Sequence, residues 1–302
     1  MPNSIQISNM NRRTVLKTMT TTAAAAFVSE SLSNRLEATN AALDPTISGK
    51  INHSACRWCY STIPLDELCK RGKEIGLQGI DLLTVDETPT AQKYGLVCSM
   101  GQMDLKGFGI TKGFNRLENH KDLVEYYQDR LPKAAALGMK NFICFSGNRE
   151  GLSDVQGLAN CAVGIKKLMP LAEKLGINLV MELLNSKINH KDYQCDHTDW
   201  GVALTKSVAS ERFGLLYDIY HMQIMEGDVI RNIRENHEYI KHYHTGGVPG
   251  RNEIDDSQEL YYPAIMKAIV EVGFKGFTAQ EFIPKNADKL GSLEKCVKIC
   301  DI

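Results

Sequence analysis

The feature that most constrains this chain is an alternation. Short, continuously apolar runs recur at "KINHSAC", "GIDLL", "LVCSMG", "NFICFSG", "INLVMELLN", "FGLLYDIYH", "YIKHYHTG" and "GFTAQEF", and helical patterns stand between them. A strand with one solvated face alternates apolar and polar residues. Runs apolar along their whole length suit a parallel sheet covered on both faces. The intervening segments carry helix punctuation: "PLDELCKRGKEIG" opens at Pro64 and closes at Gly76, and "HKDLVEYYQDRLPKAAALG", "LANCAVGIKKLMPLAEKLG" and "YYPAIMKAIVEVG" also close on glycine. Pro132 and Pro170 fall inside two of these patterns and are expected to kink or divide them. Eight βα units in the span 46–302 have the size of a single (β/α)8 TIM barrel. The competitor, a doubly wound open sheet, is disfavoured because no glycine-rich dinucleotide fingerprint follows the first strand.

Residues 1–45 differ in kind. "NRRTVLKTMTTTAAAAFVSES" begins at Asn11, and its Arg12–Arg13 pair precedes a weakly apolar Thr/Ala stretch and then polar residues. This pattern resembles a twin-arginine export signal followed by a linker; the plainer reading is a basic tail. The signal implies export of the folded chain to the periplasm, with any metal loaded first.

Composition narrows the partners. Of the 302 residues, 43% are hydrophobic and 24% charged, and 35 Lys+Arg against 36 Asp+Glu leave a net charge of -1. That balance offers no footprint for nucleic acid or an anionic membrane, and no apolar run is long enough to span a bilayer. The expected partner is a small molecule; a homo-oligomer is compatible with such a surface. Nine cysteines leave at least one thiol unpaired. Cys56 and Cys59 have redox-type spacing, but no second pair completes a four-cysteine zinc site. They read as pocket lining or as a disulfide.

In such barrels the chemistry sits at the C-terminal strand ends. Strand five ends in Glu182, strand six in Asp218, strand seven in His244 and strand eight in Glu281. One strand-end carboxylate is more often a cap or an ion-pair partner. Three carboxylates and an imidazole at four consecutive strand ends, each after a run that should bury it, would cost several kcal/mol per unpaired charge. One divalent cation bound by all four removes that cost. The mostly oxygen donor set favours Mn²⁺ or Mg²⁺, with Co²⁺ and Zn²⁺ also accommodated. Glu182 and Glu281, three strands apart, would face each other across the mouth. A carbonyl and its neighbouring hydroxyl on the metal would have an acidified C–H between them. One glutamate could take that proton and the other return one, giving isomerisation or epimerisation. A buried ion-pair cluster and a non-catalytic sugar-binding barrel are the plainer alternatives. A metal-dependent endonuclease would need more ligands and a basic groove.

"MELLN", "YDIYHMQ", "HTGGVPGRNE" and "AQEF" resemble the motifs of the hydroxypyruvate isomerase branch of the xylose isomerase-like barrels, over essentially everything after about residue 48, and "CRWCYSTIPLDELC" resembles the start of exported bacterial members. The resemblance implies a metal-dependent isomerase of a small hydroxy-carbonyl compound such as hydroxypyruvate. It implies acid/base roles for Glu182 and Glu281, a substrate contact at His221, and an anion- or hydroxyl-binding role for Arg251. His244 stands where the hydroxypyruvate branch tends to have glutamine. Ketose epimerases and xylose isomerases have histidine there, so a ketose 3-epimerase, or a lyase or dehydratase on keto sugars, stays beside the first reading. Trp58 is a candidate pocket wall and Asn148 a candidate substrate contact. The polar loop "NSKINHKDYQCDHTDW", with His190 and His197, fits a lid.

Overall fold

The computed structural model describes residues 48–302. Eight parallel strands close into a barrel in chain order: β1 (Asn52–Cys56), β2 (Gly79–Leu83), β3 (Val97–Gly101), β4 (Asn141–Cys144), β5 (Asn178–Leu183), β6 (Phe213–Asp218), β7 (Ile240–Thr245) and β8 (Phe277–Gln280). All eight apolar runs are strands, and β8 pairs with β1 to complete the ring. Each strand is buried along almost its whole length. One set of side chains fills the barrel and the other packs under the helices.

The α-helices are α1 (Leu65–Ile75), α2 (Thr88–Lys93), α3 (His120–Ala136), α4 (Asp154–Lys166), α5 (Met169–Leu175), α6 (Thr198–Val208), α7 (Ile219–Met225), α8 (Val229–Asn236), α9 (Tyr262–Glu271) and α10 (Lys289–Cys300). In α1 the residues Leu68, Cys69, Gly72 and Ile75 form the buried stripe, and burying each large aliphatic side chain contributes about 1.5–3 kcal/mol. The helix stops at Gly76, whose φ of 100° only glycine adopts freely. Pro170 behaves as expected: it lies in the first turn of α5, which is separate from α4. Pro132 does not divide its helix, because α3 runs through it.

The twin-arginine segment and linker lie outside the described residues. Among the described residues no helix is long and apolar enough to cross a membrane. All nine cysteines are buried free thiols, so Cys56 and Cys59 form no disulfide. A concavity of about 680 Å³ lies at the N-terminal strand ends beside Val97, Asn141, Asn178 and Ile240. That is the end of a barrel associated with stability rather than chemistry.

Candidate metal centre and active site

Four neighbouring strands deliver the four ligand-type side chains to one place. Glu182 is the penultimate residue of β5, Asp218 the last of β6 and His244 the penultimate of β7, while Glu281 directly follows β8. Asp218 and His244 are register partners. The Glu281 N–H donates to Thr245 O at 3.1 Å, extending the ladder one residue past β8. One ligand atom from each of the four lies within 4.8 Å of all the others, and all four residues are buried.

His244 decides what this cluster can hold. Its Nε2–H donates to Asp81 Oδ1 at 3.0 Å, which in the neutral ring leaves the lone pair on Nδ1. Nδ1 lies 2.6 Å from Glu281 Oε2, 3.4 Å from Glu182 Oε1 and 4.0 Å from Asp218 Oδ2, yet none of these is aligned as its hydrogen-bond partner. A lone pair facing three carboxylates is repulsive unless a proton or a cation lies among them. The donor set of one imidazole nitrogen and carboxylate oxygens therefore fits a divalent cation.

The electrostatics carry the same strain. Burial raises Glu182 and pushes Asp218 up to about 7. Burial acts the same way on Glu281, but Arg251, His244 and the Trp58 hydrogen bond outweigh it and hold that carboxyl well below the usual range. Burial lowers His244, and neighbouring groups reverse this to a large net rise. Cys56 is nominally the strongest of them, but burial keeps its thiol protonated, so the carboxylates of Glu281 and Asp81 do the raising.

Arg251 is placed by the loop after β7. Its N–H donates to Gly247 O at 2.8 Å, and its carbonyl accepts from Ile283 N at 2.6 Å. The guanidinium carbon lies 5.3 Å from both the Trp58 and Tyr220 rings, stacked between them. Nη2 donates to Asp218 Oδ2 at 2.9 Å and also to Glu281 Oε2. Trp58, 41% exposed, donates Nε1–H to Glu281 Oε1 at 2.6 Å. Leu82 (φ 54°) and Arg251 (φ 58°) both have left-handed backbones, costing about 1–3 kcal/mol each for residues with a Cβ. Both line a mouth cavity of about 300 Å³, with Glu182, Glu281 and Trp58. Much of its remaining wall is apolar, with Ile143, Phe145 and Leu184.

The other predicted residues sit differently. β6 ends at Asp218 rather than running through His221. Asp218 caps α7 by accepting the His221 N–H at 3.1 Å. His221 is thus a first-turn helical residue, fully buried, with Nε2 3.7 Å from Asp218 Oδ2. Neither His221 nor Asn148 lines the mouth cavity; Asn148 bridges antiparallel to Tyr193 and its carbonyl accepts from Asn115 at 2.6 Å. His190 reaches the cavity from the loop after β5, while His197 is a half-exposed partner of Asp196.

Sequence reasoning missed the support behind His244. Asp81 stands mid-β2, fully buried; Oδ1 accepts from His244, and Oδ2 accepts from Ser99 Oγ at 2.5 Å. His242 Nε2 lies 2.8 Å from Oδ2, off the direction of a well-aligned hydrogen bond. His242 and His244 are two apart on β7, so both point inward. The available signal was an aspartate inside the apolar run "GIDLL". Carboxylates behind ligating histidines fix the tautomer, and losing one typically costs about 10–100-fold in metal affinity. Asp81→Asn is accordingly expected to weaken Mn²⁺ binding by about 10–100-fold in a competition titration; unchanged affinity would remove Asp81 from the site's support.

Residues 73–294 match the family described as Xylose isomerase-like TIM barrel. The chain belongs to that family. A protein of Homo sapiens provisionally named hydroxypyruvate isomerase is 32% identical over 233 residues, covering 76% of this chain and 78% of that protein. The hydroxypyruvate isomerase of Escherichia coli is 28% identical over 162 residues, covering 52% and 61%. Among solved structures, one described as AP endonuclease, family 2, from Brucella melitensis superposes with a TM-score of 0.73 at 23% identity, covering 80% of this chain and 97% of that one. At that identity the likeness speaks for the barrel alone. The curated relatives make this xylose isomerase-like chain a member of a group of sugar and hydroxy-carbonyl isomerases and epimerases.

Proposed function

We propose that this protein is a metal-dependent isomerase of a small hydroxy-carbonyl compound such as hydroxypyruvate. The observation that carries the reading is the convergence of Glu182 and Glu281, from the ends of β5 and β8, on His244 Nδ1. Glu182, Asp218, His244 and Glu281 would hold one divalent cation, Mn²⁺ or Mg²⁺ before Co²⁺ or Zn²⁺ on donor type. When bound, such a cation would polarise a carbonyl and its neighbouring hydroxyl and acidify the C–H between them. One glutamate would take that proton and the other return one to the former carbonyl carbon, while the hydroxyl proton passes to the former carbonyl oxygen. Trp58 and Arg251 orient Glu281 through its two carboxylate oxygens. The human and Escherichia coli relatives support the substrate class.

The cavity supports a short substrate. Any hydroxyl of a polyol tail that lay against Ile143, Phe145 and Leu184 out of reach of Gln102 and His190 would be buried without a partner, at about 1–3 kcal/mol each. A second reading, a ketose 3-epimerase, is favoured by His244 at the strand-seven position. Metal-loaded protein assayed against hydroxypyruvate, ketoses and 3-keto sugars separates the two. Turnover is expected on hydroxypyruvate above the six-carbon ketoses, and the reverse order would overturn the first reading in favour of the second.

The export reading joins this proposal. Replacing Arg12 and Arg13 by lysine is expected to leave the precursor in the cytoplasm when fractions are compared by immunoblot. An unchanged distribution would refute twin-arginine export to the periplasm.

A further inference from the structure

Two hydrogen-bond donors converge on one ring nitrogen of His221. The backbone N–H of Asn185 lies 3.1 Å from Nδ1, and the Asn185 side-chain Nδ2 lies 2.6 Å from it. The orientation of that amide is dictated by its surroundings. Asn185 Oδ1 accepts the backbone N–H groups of Ile188 at 3.1 Å and Asn189 at 2.9 Å. Oxygen therefore faces those donors, and the NH₂ faces His221 and Asn189 Oδ1, the latter at 2.8 Å. A backbone N–H can only donate, and so can an amide NH₂. Nδ1 must be a lone pair, and the neutral ring carries its proton on Nε2.

Nε2 is fully buried and has no hydrogen-bond partner. It lies 3.7 Å from Asp218 Oδ2, at the edge of the metal-type quartet. A buried N–H without a partner costs about 1–3 kcal/mol, so an oxygen brought within reach of it beside the quartet would gain a donor that is already desolvated. A ring so fixed can neither take a proton at Nε2 nor ligate a metal through it.

We infer that Asn185 is a positioning residue that locks His221 as an Nε2–H donor to a substrate oxygen at the quartet. The same amide ties this donor to the loop after β5. Asn185 Oδ1 shapes the turn through residues 188 and 189, and Asn189 Oδ1 also accepts from Tyr220, the ring stacked on Arg251. One side chain thereby serves both the order of that loop and one of the two hydrogen bonds that fix the tautomer of His221. The tautomer stands independently of the proposed reaction; its effect on turnover rests on that reading.

The test has a spectroscopic arm and a kinetic one. Full-length protein labelled with ¹⁵N-histidine and loaded with diamagnetic Mg²⁺ is examined by NMR, with His221 assigned from the signal lost in His221→Gln. An unprotonated Nδ1 and a protonated Nε2 support the inference. A protonated Nδ1 overturns it without reference to any substrate. Asn185→Asp then places a carboxylate against Nδ1 and is expected to draw the ring proton from Nε2 to Nδ1, leaving Nε2 a lone pair. It should lower kcat by about 10²–10³, the effect of losing one preorganised donor, with bound metal unchanged. Asn185→Ala keeps the backbone donor, so its Nε2–H signal should persist and its loss be smaller. Equal losses in the two variants with unchanged nitrogen shifts would make Asn185 merely structural and overturn the positioning role. If Asn185→Asp fails to fold, the wild-type spectrum still decides the tautomer.

Discussion

Glu182→Gln and Glu281→Gln are each expected to lower turnover by at least about a hundredfold while metal remains bound. General acid–base groups contribute about 10²–10⁴ in rate. Glutamine is the informative replacement because its amide oxygen keeps a donor near His244 while losing the transferable proton. Alanine would confuse loss of a ligand with loss of a base. The two variants should differ in kind. Glu281 accepts from Trp58 and Arg251, so its amide would turn an N–H toward one of two donors and disturb Arg251. Glu182 has no such pair, and its substitution should act closer to the proton alone. Single-turnover rates with metal content measured on the same samples separate these effects. Near-native turnover in either variant with metal bound would reduce that glutamate to a ligand and end the two-glutamate mechanism.

Much of this site was legible in the sequence because its parts are written at strand ends. An apolar run that stops at a carboxylate or an imidazole marks its own C-terminal end, and a barrel brings neighbouring ends together without further information. That is why Glu182, Asp218, His244 and Glu281 were foreseeable as a group. The pieces behind them were not. Asp81 and His244 are 163 positions apart, and nothing in "GIDLL" says which inward-facing residue waits across the barrel. The run "FGLLYDIYH" marks the end of strand six at Asp218, but nothing in it shows that the same carboxylate caps α7 and so puts His221 in a helical turn. Asn148 follows β4 as a mouth residue should, but its backbone is taken up by Tyr193 and Thr111. Pro132 was read as a breaker, yet the helix His120–Ala136 runs through it; packing of Leu131 and Ala134 on both sides overrides the local cost.

Exhaustive chelation is expected to abolish turnover and to lower thermal stability, by an amount that grows with pH. A ligand that binds only the folded state stabilises it by mass action, about 4 kcal/mol at a thousandfold excess over Kd. Without the cation the carboxylates face one another, with Arg251 as their only cationic side-chain partner among the described residues apart from His244. The pH dependence follows from Asp218, which burial pushes up to about 7, and from Glu182, which burial also raises. A carboxyl whose folded value lies above its unfolded value of about 4 binds its proton more tightly when folded. Its contribution to stability is present below the unfolded value and fades as pH rises towards the folded one. Glu281 stays ionised when folded, so its opposite slope is confined to the region near its unfolded value of about 4. The chelated protein should therefore lose Tm steadily between about pH 4 and 7. The loaded protein, with its carboxylates neutralised, should lose much less, so the gap between the two melting curves widens. Equal Tm with and without chelator across that range, together with full turnover in the chelated sample, would show that the quartet is an ion-pair cluster and holds no functional metal.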